Sequence, residues 1–258
     1  MFIYDVYPIA AWLFKHNYAW SWFFFRYLKI ALHRIDPGIH TFLHQNIKFY
    51  RYLDPAKQYK FYLRCHAFQR SIDFIPRNGF IIKPEYRYLV AAAYIKLTFG
   101  RAYQPLTEFN KILIYPESYF SRITRKRHKG EVNRAGIIVL SWQDFKEGWL
   151  EEQDNLNLGL HEFSHALVIE AEMNKMHESF HIAFTNWSTL VRKTQIREQY
   201  LNSSYFREYA KANHVELFAV MTECFFETPE KFNELFPGMY KHMCHIYALN
   251  PLSLYTTK

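Results

Sequence analysis

Between Leu156 and Ile169 the chain reads LNLGLHEFSHALVI, an apolar run that carries His161 and His165 four residues apart, with Glu162 directly after the first. On a helix, residues i and i+4 lie on one face a turn apart. Two imidazoles can therefore meet one metal ion while the intervening glutamate stands beside it. The apolar surroundings exclude water and hold such ligands rigidly. The pattern predicts a zinc helix in which Glu162 serves as the catalytic carboxylate.

The same pattern recurs as HESFH, from His177 to His181. If residues 161 to 184 formed one helix, the 16-residue offset would turn the second pair roughly 160° from the first, so the two could not share an ion. The second copy follows the polar Asn174-Lys175 and has no evident third ligand nearby. Its histidines are expected to be structural or exposed.

His161 and His165 need a third partner. A metzincin would continue His-x-x-Gly-x-x-His, but Val168 and Ala171 occupy the places of that Gly and final His, which removes this class. The other standard solution is a carboxylate from a later helix. In NHVELFAVMTECFFETP, Glu216 and Glu223 are seven residues apart and so share a helix face among apolar neighbours. Carboxylates in such a setting must be paired, protonated or ligating. One as ligand and the other as its support is a consistent arrangement; the spacing leaves open which is which.

With 258 residues, half of them hydrophobic and 19% aromatic, the chain can form one large domain, or one domain with an appended segment. Residues 1–53 read as an aromatic-rich helical segment, including WSWFFFRYLKIALHRI, that packs on the main domain at 54–258. Asp54-Pro55 starts a helix. FIPRNGFIIKP suggests a turn between strands at Asn78-Gly79, and EYRYLVAAAYIKLTFG a helix ended by Gly100. KILIYP and GIIVLSW are strands by their β-branched runs, and the remainder is helical. Short strands ahead of a mainly helical half describe an α+β fold.

The formal charge of +8 invites a nucleic-acid reading. The dense basic run is confined to RITRKRHKG, residues 122–130, which reads as a solvated hairpin tip with no binding module beside it. Nucleic acid is therefore not an expected partner. The N-terminal MFIYDVYPIAAWLF carries Asp5, lacks a basic leader and reaches Lys15 well short of a span, so neither a signal peptide nor a membrane helix is expected. Three cysteines without a paired motif read as reduced thiols, which fits the cytoplasm.

HEFSH followed by ELFAVMTECFFETPE, together with ILIYPESY, IVLSW, YAKANHVELFAV and MYKHMCHIYALNP, resembles the MtfA family of bacterial zinc-dependent peptidases. The resemblance covers roughly residues 55 to 252. It implies a zincin-like, gluzincin-type α+β fold with one zinc held by His161, His165 and Glu216, Glu162 as the catalytic carboxylate and Tyr209 as a further active-site residue. It also implies cytoplasmic aminopeptidase-type activity on short peptides and, in enteric bacteria, binding to the glucose-regulation repressor Mlc. The competing class is a regulatory protein-binding module whose zinc site is mainly structural. Retention of Glu162 argues for the enzyme, since a structural site has no use for a general base.

Overall fold

Asp36-Pro37 and Asp54-Pro55 use one device twice. Each aspartate caps a helix, accepting from Ile39 N at 2.9 Å and Lys57 N at 2.8 Å, and each proline takes the first turn, where no N–H is missed. The computed structural model describes residues 35–121, 125–173 and 175–255. These caps open helices α1 (Pro37–Asn46) and α3 (Pro55–Ser71), with α2 (Lys48–Tyr52) between them. Phe49 and Tyr50 of α2 pack on Phe61 at ring separations of 5.9 and 5.5 Å, and Phe49 meets Phe99 edge-on at 5.6 Å. The short helices thus join the same apolar core as α3. The more N-terminal aromatic stretch and the apolar N-terminus lie outside the described residues.

Four strands form the sheet: β1 (Asp73–Pro76), β2 (Lys111–Tyr115), β5 (Gly130–Asn133) and β6 (Ile137–Ser141), in the order β1-β2-β6-β5. β1, β2 and β6 are parallel, whereas β5 is antiparallel to β6 and lies at the edge. Helix α4 (Pro84–Thr98) links β1 to β2 and is buried continuously from Tyr88 to Thr98, as an Ala-rich helix enclosed on all sides must be. β3 (Tyr119–Ser121) and β4 (Lys126–His128) make a hairpin whose second strand lies within the basic run. Its tip, residues 122–124, lies outside the described residues.

The expectation at Asn78-Gly79 needs correction. Both residues have positive φ, 48° and 75°, as a turn there requires, but no second strand follows. Phe80 packs against Trp142 at 5.6 Å, Pro84 starts α4, and the partner of β1 is β2, with Asp73 beside Lys111. A turn dipeptide reports a reversal of the chain; it does not say that the next residues pair.

Beyond β6 the chain is helical: α5 (Trp142–Leu150), α6 (Leu158–Glu172), α7 (Glu178–Val191), α8 (Thr194–Leu201), a 3-10 turn (Glu208–Lys211), α9 (His214–Glu227), α10 (Pro229–Leu235), α11 (Pro237–Tyr247) and α12 (Pro251–Tyr255). α6 packs against both α4 and α9, so Leu160, Phe163, Ala166 and Leu167 on its different sides are all fully buried. Among the described residues no helix is long and apolar enough to cross a membrane. Cys65, Cys224 and Cys244 are free thiols.

Glu170, near the end of α6, is fully buried and accepts from Thr107 N and Glu108 N, both at 2.7 Å, and from Thr107 Oγ1 at 2.8 Å. It fastens the segment leading into β2 to the helix that carries His161. Glu170→Ala would leave two backbone donors without an acceptor and should lower the unfolding free energy by about 3 kcal/mol in urea titration. Glu170→Gln, which retains an accepting oxygen, should cost less than half of that. A loss below about 1 kcal/mol for the Ala variant would contradict this role.

Candidate metal centre

Asn157 begins the construction of the site. Fully buried, it caps α6 by accepting from Leu160 N at 3.0 Å, and its side-chain amide donates to Gly148 O at the end of α5 at 2.7 Å. Its backbone N–H donates to Glu223 Oε1 at 2.8 Å. One residue thus sets the positions of α5, α6 and α9 relative to one another. On the other side, Asn213 caps α9 by accepting from Val215 N and Glu216 N at 2.9 and 3.0 Å, which puts Glu216 in the first turn.

With α6 and α9 so placed, His161, His165 and Glu216 each bring a ligand-type atom to one point. His161 Nε2 and His165 Nε2 are 3.1 Å apart, and Glu216 Oε2 lies 3.3 Å from the first and 3.5 Å from the second. Atoms about 2.05 Å from a tetrahedral zinc stand about 3.3 Å from one another, so this triangle has the dimensions of one face of such a site. Glu216 Oε2 is buried and makes no well-formed hydrogen bond, an expensive arrangement for an anionic oxygen unless a cation meets it.

Glu223 lies on the far side of the same imidazole. Its Oε2 is 3.2 Å from His161 Nδ1, and its side chain is 2% exposed. A proton on Nδ1, donated to Glu223, would leave the Nε2 lone pair toward His165 and Glu216, the tautomer a metal ligand needs. Two turns of α9 separate Glu216 from Glu223, about 10.5 Å of rise, and the imidazole occupies that gap. Arg207 ion-pairs through Nη2 with Glu223 Oε2.

Without a cation, the same carboxylates favour the protonated imidazole. Burial by itself would hold the His161 imidazole below its ordinary range. Close contact with the Glu216 and Glu223 carboxylates, with added charge from Glu162, outweighs burial and pushes it up to about 10. Burial likewise works to raise Glu216, but the two histidines bring it down to about 2. Two carboxylates thus converge on His161, and among the described residues only Glu223 of the two is ion-paired with a Lys or Arg, namely Arg207.

A cleft of about 650 Å³ opens beside His161 and Glu162, bounded by β4 and the start of β5 on one side and by Arg207 and Tyr209 on another. Glu162 is 6% exposed; burial raises its pKa, the histidines oppose this, and Glu216 and Glu223 add to the rise. β5 passes so close that a Cβ on Gly130 would stand 2.5 Å from Glu162 Oε1. The Tyr209 ring is 6.1 Å from that of His161 and more than half exposed. Burial, then the charges of Glu216 and Glu162, raise its pKa, so the phenol keeps its proton at neutral pH.

The second histidine pair is elsewhere. His177 precedes α7, a helix separate from α6, and its backbone N–H donates to Gln104 Oε1; His181 Nδ1 donates to Ala171 O at 3.2 Å. Among the described residues one group alone has metal-site dimensions, and it contains neither. Asn157, Arg207 and Gly130 escaped the reading of the sequence. Asn157 carried a signal, a capping residue directly ahead of an apolar helix; the contacts of Arg207 and Gly130 have none.

Glu216→Ala should strip most of the metal from the purified chain. Glu223→Ala, which removes a partner of a ligand, should weaken affinity by only about 10- to 100-fold and should refill at high metal concentration. Metal analysis after dialysis distinguishes the two, and the reverse ranking would place the ligand two turns away.

The family model of glucose-regulated metallo-peptidase M90 matches residues 22–248. An uncharacterized protein of Synechocystis sp., slr2042, is 25% identical over 256 residues, covering 91% of this chain and 93% of its own. Proteins named Mlc titration factor A, from Yersinia pestis (strain Pestoides F) and Yersinia pseudotuberculosis serotype O:1b, are each 25% identical over 204 residues, covering 70% of this chain and 73% of theirs. With a match over nearly the whole chain and a His-His-Glu cluster at its centre, the chain belongs to the glucose-regulated metallo-peptidase M90 family, the MtfA peptidases that its motifs resemble.

Proposed function

We propose that this protein is a zinc-dependent peptidase, with aminopeptidase-type action on short peptides, in which His161, His165 and Glu216 hold one zinc ion. The observation that carries the reading is the three-atom face of His161 Nε2, His165 Nε2 and Glu216 Oε2, with buried Glu162 beside it and an open cleft in front. Two nitrogens and one oxygen suit zinc. A bound zinc supplies Lewis acidity toward a carbonyl oxygen and acidifies a water in its open position.

The remaining chemistry belongs to this chain. Glu162, held in a dry place with a raised pKa, takes the proton of the attacking water and returns it to the leaving amine. Tyr209, protonated and at the cleft, donates a hydrogen bond to the oxygen that becomes negative, a contact worth about 3 kcal/mol where such donors have been removed from other enzymes. β5 is an edge strand, so an extended peptide can add to it backbone to backbone. Gly130 lets that strand approach the reacting groups. The cleft is lined by both signs of charge, Lys126, Arg127 and Lys129 on the β4 side and Glu147, Glu151 and Asp154 opposite, and the acidic side would receive a free amino terminus. On this reading residues 54–258 are the catalytic unit, and the free thiols support a cytoplasmic location.

A second reading has its own support. The name Mlc titration factor A, carried by the Yersinia relatives, favours a regulatory role in which the protein binds a transcriptional repressor and the metal is mainly structural. A labelled peptide library separates the two. The peptidase reading expects turnover that chelation abolishes and N-acetylation of the substrate suppresses; no turnover by the zinc-loaded chain would favour the repressor-binding role.

Glu162→Gln should retain zinc, since Glu162 is not among the three ligands, and should lose most turnover, because an amide cannot accept the water's proton. Gly130→Ala should behave similarly by another route. Its Cβ displaces the Glu162 carboxyl, and a misplacement of about 1 Å costs on the order of 100-fold in rate. Full activity of Glu162→Gln, with zinc in place, would remove Glu162 from the mechanism; full activity of Gly130→Ala would show that the strand does not position it.

A further inference from the structure

Arg207 is the unassigned residue with the strongest geometric connection to the site. It lies in the short connection between α8 and the 3-10 turn, two residues before Tyr209, and its guanidinium ion-pairs with Glu223 Oε2. That carboxylate also accepts from Asn157 N at 2.8 Å and meets His161 Nδ1 at 3.2 Å. Among the described residues, Arg207 is the one Lys or Arg ion-paired with any of the three carboxylates of the cluster. The contact spans 16 residues and follows no sequence motif.

We propose that Arg207 is a positioning residue for the metal centre, acting through Glu223 on His161. Glu223 is 1% exposed, and its Oε2 meets both the Arg207 guanidinium and His161 Nδ1. The guanidinium reaches the carboxylate through Nη2, and this contact holds Oε2 on the side that faces His161 Nδ1. Glu223, so oriented, accepts at His161 Nδ1 and turns Nε2 toward His165 and Glu216. The same ion pair ties the segment carrying Tyr209 to α9.

This inference rests on the metal site proposed above, so its test reads metal affinity in place of turnover. Zinc affinity is measured by chelator competition on the full chain at pH 7 for wild type, Arg207→Gln, Arg207→Lys, Glu223→Gln and the Arg207→Gln/Glu223→Gln double variant. Arg207→Gln should bind zinc about 10- to 100-fold more weakly, the range for a lost partner of a metal-bound histidine. Arg207→Lys, which keeps the charge on a differently shaped head group, should lose only about threefold. The double variant should be no weaker than Glu223→Gln alone, because Arg207 has nothing left to act on. If the Gln variant folds poorly, as judged by melting of the metal-free chains, the Lys variant carries the comparison, and its threefold loss should vanish in the Glu223→Gln background.

Affinity within twofold of wild type for Arg207→Gln, or losses that multiply in the double variant, would overturn the proposal while leaving the metal site intact. A wild-type chain that binds no zinc would remove the metal site and this proposal together.

Discussion

The ring of His161 is held between two carboxylates on one face of a single helix. Glu216 and Glu223 are two turns apart on α9, and the imidazole of α6 fits between them with a ring nitrogen 3.3 Å from one and 3.2 Å from the other. This arrangement works only if α6 and α9 are fixed in both rotation and height, because a shift of a single residue would carry the ring away from both oxygens. The packing of α6 between α4 and α9 sets the rotation. Asn157, bound at once to Gly148, Leu160 and Glu223, sets the height.

The placement sets up a charge imbalance that the rest of the site manages. Buried carboxylates are unfavourable unless paired or ligating. Glu223 has Arg207 and the Asn157 N–H; Glu216 faces two imidazoles and retains an oxygen without a well-formed hydrogen bond; Glu162 sits under Gly130 with its pKa raised. The three differ in what compensates them, and the proposed function gives each a separate role: orientation of a ligand, ligation, and proton transfer. Sequence neighbours do not distinguish these roles, since all three glutamates lie in apolar helices.

That contrast explains what could be read from the sequence. The pair His161 and His165 was legible because i,i+4 spacing on a helix is a local rule, and the shared face of Glu216 and Glu223 follows from the same periodicity. β2 and β6 announced themselves by β-branched runs, and α3 by Asp54-Pro55. The turn expected at Asn78-Gly79 formed but the strand expected after it did not, because the turn signal is local whereas the partner of β1 is a strand more than 30 residues on. Arg207 and Gly130 were invisible for the same reason: a guanidinium beneath a carboxylate and a strand pressed against Glu162 are products of tertiary placement. The choice between HEFSH and HESFH rested on surroundings, and the structure separates the two pairs onto different helices.

The central claim is a divalent metal held by two imidazoles and one carboxylate, and X-ray absorption spectroscopy of the zinc-loaded chain addresses it directly. The account predicts nitrogen and oxygen neighbours alone, at about 2.0–2.2 Å, with the scattering of two imidazoles, and the loss of one imidazole in His165→Ala. Sulfur neighbours at about 2.3 Å, or an unchanged pair of imidazoles in that variant, would show that the metal sits elsewhere.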